Sequence, residues 1–198
     1  SIDSVIHGEG EEPLVELVSR SCDPGDVAGI SHRRGDTVAP ASFRLNPPDL
    51  DVLSWPTRPE VFDSYLGQPI ANILSSRGCF GRCAYCSISA WYGDGEGRRM
   101  RQRSMAHVAE EMAHLYHDRG VRIFNFHDDN FFTRRERDNI ERFSTLGAHL
   151  ARRRVGRIAL QVKARPDSVT PAVFGLLHRM GLFRVFLGVE SNAEEGLA

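Results

Sequence analysis

The chain has 198 residues, 41% of them hydrophobic and 26% charged, and a formal net charge of −1. That balance belongs to a globular protein, not a disordered one, and the length suits one good-sized domain or one domain with part of another. Near-neutral charge gives no global argument for nucleic acid or an anionic membrane, no apolar run approaches the roughly 20 residues of a membrane helix, and no signal-peptide pattern stands at the start.

In chain order, Ile2, Val5 and Ile6 predict a short strand over residues 2–6, running into His7-Gly8-Glu9-Gly10. Leu14, Leu17 and Val18 at helical spacing predict a helix over Glu11–Arg20, with Pro13 near its start, where proline is tolerated. Residues 28–34 and 37–39 flank Gly35-Asp36 and predict a hairpin. Pro40, Pro47, Pro48, Pro56, Pro59 and Pro69 argue for an extended connector over 40–69, with a turn of helix at Glu60–Tyr65.

From residue 70 the pattern becomes regular. A strand over Ile70–Leu74 leads into a cysteine loop and then a stretch with Gly93, Gly95 and Gly97. Ser104 caps a helix to about Arg119, Val121–Phe126 is a strand, and Thr133 starts a helix bearing Ile140, Phe143, Leu146 and Leu150. Arg157–Val162 is a third strand. Thr170-Pro171 opens a helix that Gly181 stops, and Arg184–Val189 is a fourth strand, after which Ser191 has the character of a cap. Four strand–helix alternations imply an α/β fold with a parallel sheet and right-handed crossovers. The start at Ser1 without methionine and the end just past a strand, whose edge would stay unpaired, read as those of a fragment of a longer protein.

Within Cys79-Phe80-Gly81-Arg82-Cys83-Ala84-Tyr85-Cys86, three cysteines spaced C-x3-C-x2-C on one tight loop can face one point, and thiolates are the usual ligands of iron–sulfur clusters. A [4Fe-4S] cubane takes four ligands, so three thiolates leave one iron open. Structural zinc would want a fourth Cys or His close by, but the nearest downstream histidine is His107 and the other cysteine, Cys22, lies far upstream. A ferredoxin-type site also needs a fourth Cys, and disulfides would leave close thiols mismatched in a sequence without secretory features. A non-catalytic zinc-binding module remains the alternative from another class.

C-x3-C-x-aromatic-C directly after an apolar strand resembles the radical S-adenosylmethionine (radical SAM) enzymes. The resemblance implies a partial (βα) barrel, of which about four βα units would be present. It also implies that Cys79, Cys83 and Cys86 hold a [4Fe-4S] cluster whose open iron binds the amino and carboxylate groups of S-adenosylmethionine, and that reduction cleaves this cofactor to a 5′-deoxyadenosyl radical.

In parallel βα architectures ligands sit at the C-terminal ends of the strands, and each strand here ends in a polar cluster. His127, Asp128 and Asp129 occupy the place of the family's Gly-Gly-Glu motif, which holds the cofactor's amino group. The departure from glycine is similar to the Asp-Asp-Asn-Phe form of members with an upstream cobalamin domain, and Asp129 could equally cap the next helix. Glu190, in Gly188-Val189-Glu190-Ser191, resembles the acid that accepts the ribose hydroxyls. Tyr85 matches the position beside the adenine or packs the loop. Arg165 reaches the cofactor's carboxylate or pairs with Asp167. The arginines at 98, 99, 101 and 103 and at 152–154 read as solvated faces or helix-end charges, not a nucleic-acid site.

Residues 2–66 resemble the connector of cobalamin-dependent radical SAM proteins, through Ile2–Glu11, Val27–Ser31 and Leu50–Pro56. This implies three parts: residues 1–45 as the end of a Rossmann-like, cobalamin-binding-like domain with a hairpin, 46–69 as a Pro-rich linker, and 70–198 as the radical SAM partial barrel. The Asp-x-His-x-x-Gly cobalamin signature is absent and would lie upstream of Ser1. The implied function is hydrogen abstraction from an unactivated carbon with cobalamin-associated methyl transfer, the alternative being an oxidoreductase or cyclase without it. A methylthiotransferase would need three more cysteines than Cys22 supplies. A small-molecule or natural-product substrate and an electron donor such as flavodoxin or ferredoxin follow from the same kinship, while a thiolate site without secretion signals fits a reducing cytoplasm and the lack of a long apolar run argues against a membrane partner.

Overall fold

The computed structural model of the chain describes residues 2–92 and 99–190. The glycine-rich stretch at 93–97 and the cap expected at Ser191 lie outside them. The chain divides into two units, Ser1–Pro48 with Ala90–Arg98, and Asp49–Ser89 with Arg99–Ala198.

In the first unit, strands β1 (Ser4–Ile6), β2 (Ile30–Arg34) and β3 (Thr37–Ala39) form an antiparallel sheet in that order. The β2–β3 turn is the expected Gly35-Asp36, with Gly35 at φ 62°, the left-handed value a tight hairpin asks of its first central residue. Helix α1 (Glu11–Ser19) forms where its period predicted, but only Pro13 is buried, while Leu14 and Val18 stand exposed. Arg44 reaches Glu16 at 2.9 Å and Glu12 at 3.2 Å, because three short strands offer little apolar face for a stripe to cover.

The second unit holds a five-stranded sheet. Its strands are β4 (Ser64–Tyr65), β5 (Gln68–Ile73), β8 (Ile123–Phe126), β9 (Ala159–Ala164) and β10 (Leu182–Leu187), in the order β10-β9-β8-β5-β4. Between β5 and β8 the chain also forms a two-stranded ribbon, β6 (Ser76–Gly78) with β7 (Met100–Gln102). The last four strands of the five-stranded sheet in chain order run parallel, and β4 turns back on β5. The helical turn expected at Glu60–Tyr65 is not there. Leu66 (φ 50°) and Gly67 (φ 74°) form a two-residue turn that pairs Tyr65 with Gln68.

Helices α3 (Met105–Asp118), α4 (Glu136–Arg152) and α5 (Pro171–Arg179) follow β7, β8 and β9. Ser104 caps α3, its hydroxyl accepting from His107 N at 3.1 Å, and Thr170 caps α5. The second long helix starts at Glu136, three residues later than Thr133. Asn139 accepts Thr133 N at 2.7 Å and donates to Thr133 O at 3.0 Å, so the residues ahead of the helix are bracketed as a loop. The fourth strand begins at Leu182, earlier than expected. The core lies between strands and helices, and Phe124, Phe126, Phe131, Phe132, Phe143, Met112, Leu146, Leu160 and Leu177 are essentially inaccessible to solvent.

Parallel strands buried on both faces read as continuous apolar runs. These alternate. Asn72, Asn125 and Gln161 pair in register across β5, β8 and β9, and Asn125 Nδ2 donates to Asn72 Oδ1 at 2.9 Å. Side-chain alternation puts this polar row opposite the helix-covered face.

Candidate functional site

The cysteine loop does not follow β5 directly, as its sequence suggested. It leaves the end of β6, runs through residues 79–86 and enters α2 (Ser87–Trp91), so the β6–β7 ribbon brackets it. The short, polar ribbon strands carry no period that could have announced them. Cys79, Cys83 and Cys86 are in no disulfide and of intermediate burial, with Cys86 N donating to Cys83 O at 3.1 Å.

Two other loops reach this one. From the end of β8, Asn130, which is 2% exposed, directs Nδ2 at Cys79 Sγ at 3.6 Å. From the end of β9, Arg165 directs Nη1 at Cys83 Sγ at 3.4 Å while its fork grips Asp167 at 2.9–3.2 Å. The Arg165 guanidinium also lies 5.7 Å from the Phe80 ring. The Asp167 carboxylate, opposed only by partial burial, raises Arg165 well above the usual arginine value, and Arg165 lowers Asp167 in return. Gly81 makes the approach possible. A Cβ there would stand 3.0 Å from Arg165 Nη1 and 3.3 Å from Cys79 Sγ, and its N–H donates to Cys79 Sγ at 3.3 Å.

Past β10, Glu190 stands with φ 58° in the left-handed region, exposed. It acts on Tyr85: desolvation first, then the charge of Glu190 and the neighbouring Cys83, raise the Tyr85 hydroxyl above its ordinary value. Tyr85 is itself largely exposed.

The residues at 127–129 divide. Asp128 is fully buried, its carboxylate committed to Ser75 and Ser76, so only its backbone faces outward chemistry. Asp129 is exposed and holds the start of the loop, accepting Gly78 N at 2.9 Å rather than capping a helix. His127 is exposed, with Nε2 2.6 Å from Asn125 Nδ2. Sequence reasoning passed over two residues of this region, Asn130 and Arg142. The first follows the two acids as an ordinary polar loop residue, and the second carries no local signal, because its partners are 67 and 11 positions away.

Among the described residues no three His, Cys, Asp or Glu side chains converge as ligands of a single metal ion. A cubane asks something different, one thiolate on each of three iron corners. The donor chemistry fits that demand: three cysteines on one loop, with N–H groups already turned to the sulfurs of two.

Over residues 73–198 the sequence matches the family model described as the radical SAM superfamily. The chain belongs to the radical SAM superfamily. It is 27% identical, over 96% of its length, to an uncharacterized methyltransferase of Pyrococcus horikoshii, and spans 40% of that protein. It is 31% identical, over 65% of its length, to the anaerobic magnesium-protoporphyrin IX monomethyl ester cyclase of Synechocystis, and the match takes in 26% of that protein. Among solved structures, the radical SAM methyltransferase TsrM of Kitasatospora setae, described with tryptophan substrate and a SAM analogue, matches at TM-score 0.64 and 20% identity. That match covers 98% of this chain and 38% of TsrM. The α/β fold with its parallel half-barrel sheet is thus that of radical SAM proteins. No described helix is long and apolar enough to cross a membrane.

Proposed function

We propose that this chain carries the cluster-binding and nucleotide-binding part of a cobalamin-associated radical SAM methyltransferase acting on an unactivated carbon of a small molecule. One observation carries the reading: the ends of two successive parallel strands reach one cysteine loop, Asn130 at Cys79 and Arg165 at Cys83, and past the next strand the charge of Glu190 acts on Tyr85 of the same loop. The methyltransferase names of the Pyrococcus relative and of TsrM support the reaction class.

Cys79, Cys83 and Cys86 would hold the [4Fe-4S] cluster. Together with S-adenosylmethionine and cobalamin, it supplies an adenosyl radical and a transferable methyl group. The chain's own work is to bind and orient. The Glu190 carboxylate accepts the two ribose hydroxyls, since one carboxylate takes a vicinal pair of donors. Asp129, with the carbonyls at 127–129, accepts the ammonium, His127 borders the same opening, and Tyr85 lies against the adenine. Arg165, already paired with Asp167, keeps its outer edge for the carboxylate. In this proposal residues 1–45 are the end of a cobalamin-binding-like domain, 46–69 the linker and 70–198 the barrel. No Asp-x-His-x-x-Gly signature stands in these 198 residues, so cobalamin enters this proposal by kinship alone. The electron comes from a flavodoxin or ferredoxin in a reducing cytoplasm.

The resemblance to the Synechocystis cyclase favours a second reading, radical oxidation or ring closure without methyl transfer. Anaerobic reconstitution with iron and sulfide tests both. The expected result is a broad visible charge-transfer band, lost in Cys83→Ala, and reductive cleavage of S-adenosylmethionine. Isotope from its methyl group in the product supports transfer, and its absence supports the second reading. Stoichiometric zinc without the band sinks both.

A further inference from the structure

We propose that Asn130 and Arg165 set the reduction potential of the cluster by donating hydrogen bonds to the sulfurs of Cys79 and Cys83. The inference rests on the cluster assignment above and adds to it two residues that ligate nothing.

Each donor is held by a second bond that fixes which group faces sulfur. Asn130 Oδ1 accepts Phe132 N at 3.2 Å, so the amide orientation is determined and its NH2 must point the other way, to Cys79. Its backbone carbonyl accepts Ser76 Oγ at 3.2 Å, tying it to the ribbon from which the loop departs. At 2% exposure the amide has no water to turn to instead. Arg165 is fixed by the fork on Asp167, which engages the Nε hydrogen and one Nη2 hydrogen and turns Nη1 toward Cys83. The two donors come from successive strand ends and address different cysteines, so they act independently.

Reduction adds negative charge that the thiolate sulfurs share. A donor aimed at sulfur stabilises the reduced state more than the oxidised one and raises the potential. A guanidinium does so with full charge, moderated here by Asp167. This matters because the cluster must accept an electron before it can act on the sulfonium.

The test is a redox titration of the reconstituted holoenzyme, followed by the electron paramagnetic resonance signal of the reduced cluster. Asn130→Asp keeps an acceptor for Phe132 N, replaces the donor with an oxygen and sets a carboxylate beside Cys79, two changes that both lower the potential, so the uncharged Arg165→Gln is the cleaner arm. Arg165→Gln removes the charge, and Arg165→Lys returns it without the fork. For Asn130→Asp and Arg165→Gln the expected result is about a tenfold lower ratio of reduced to oxidised cluster at a fixed poise, a downward shift of about 59 mV for one electron. Arg165→Lys should recover part of it. Clusters loaded to the unsubstituted iron and sulfide content, with the potential unmoved in both, overturn the inference. If the buried Asn130→Asp does not load, the Arg165 pair decides by itself. An unsubstituted protein that takes up no cluster overturns the function instead, so the two failures are distinct.

Discussion

Both carboxylate oxygens of Asp128 accept the backbone N–H of Ser75 at 3.1 Å, and one also accepts its hydroxyl at 2.7 Å. That hydroxyl in turn accepts from Arg142 at 2.9 Å, and Arg142 also donates to Phe131 O at 2.8 Å. A cation, a hydroxyl and a carboxylate thus form one polarised chain joining the exits of β5 and β8, the first leading into β6, from which the cysteine loop departs, and the second into the 127–130 turn. Burial lowers Arg142 to about 10 and raises Asp128 above 3.8, against the hydrogen bonds from Ser76 and Ser75. Asp128→Asn leaves a buried guanidinium without its counter-charge and should cost about 3 kcal/mol at neutral pH, read by urea unfolding. Because the folded carboxyl holds its proton to higher pH than the unfolded one, this group makes stability fall as pH rises upward from about 3.8. The substitution should remove that fall.

Gly181 is the point where α5 turns into β10, at φ 103°. A Cβ there would lie 2.1 Å from Ile158 O, a backbone atom that cannot step aside, because the next residue is bound into β9 by Ala159 N donating to Arg122 O. Gly181→Ala should destabilise by at least about 2 kcal/mol, visible as a lowered thermal midpoint. Gly120→Ala, also at positive φ but with open space around it, should cost less.

Asp51 receives Ser104 N at 3.0 Å and faces His107 Nδ1 at 3.0 Å. Trp55 Nε1, which can only donate, meets His107 Nε2 at 2.8 Å, so in the neutral ring Nδ1 carries the proton and gives it to Asp51. Burial opposes ionisation of Asp51, but the Ser104 and His107 bonds outweigh it and hold the carboxyl below 3.8. The stabilisation is therefore present above that value and lost as pH falls through the lowered one. Asp51→Ala should cost less than about 1 kcal/mol at neutral pH, since the half-buried group is still screened by solvent, and the gap to the unsubstituted protein should close in acid.

The parallel strands, α3, the Thr170 cap and the cysteine loop were legible because each rests on local spacing. Three features were not. The Leu66-Gly67 hairpin depends on a non-glycine residue taking positive φ, which only pairing with Gln68 enforces. The late start of α4 depends on the Asn139–Thr133 bracket. The inward turn of Asp128 depends on Ser75, 53 positions away. At 128–129 the sequence offered adjacent acids as equals, and burial separates them, sending Asp128 into the core and leaving Asp129 at the surface. The polar row of Asn72, Asn125 and Gln161 was visible as alternation within each strand, but its meaning came only with the register.

Glu190 is a non-glycine residue held at φ 58°, a conformation that costs roughly 1–2 kcal/mol, and it folds its carboxylate back until a Cβ on Gly188 would meet Oε1 at 2.8 Å. Strain kept where glycine would relieve it points to a use for the side chain. Glu190→Gly should leave the unfolding midpoint unchanged or higher, whereas Glu190→Gln keeps the strain and loses the charge. Both should retain full iron and sulfide. Both should bind S-adenosylmethionine on the order of tenfold more weakly, as the loss of a charged hydrogen-bond acceptor predicts, in calorimetric titration of the reconstituted protein. Tyr85→Leu should weaken binding without changing its pH dependence. If Glu190→Gln binds as tightly as the unsubstituted protein, the carboxylate beside Tyr85 is not the ribose acceptor, and the last strand end loses its place in the site.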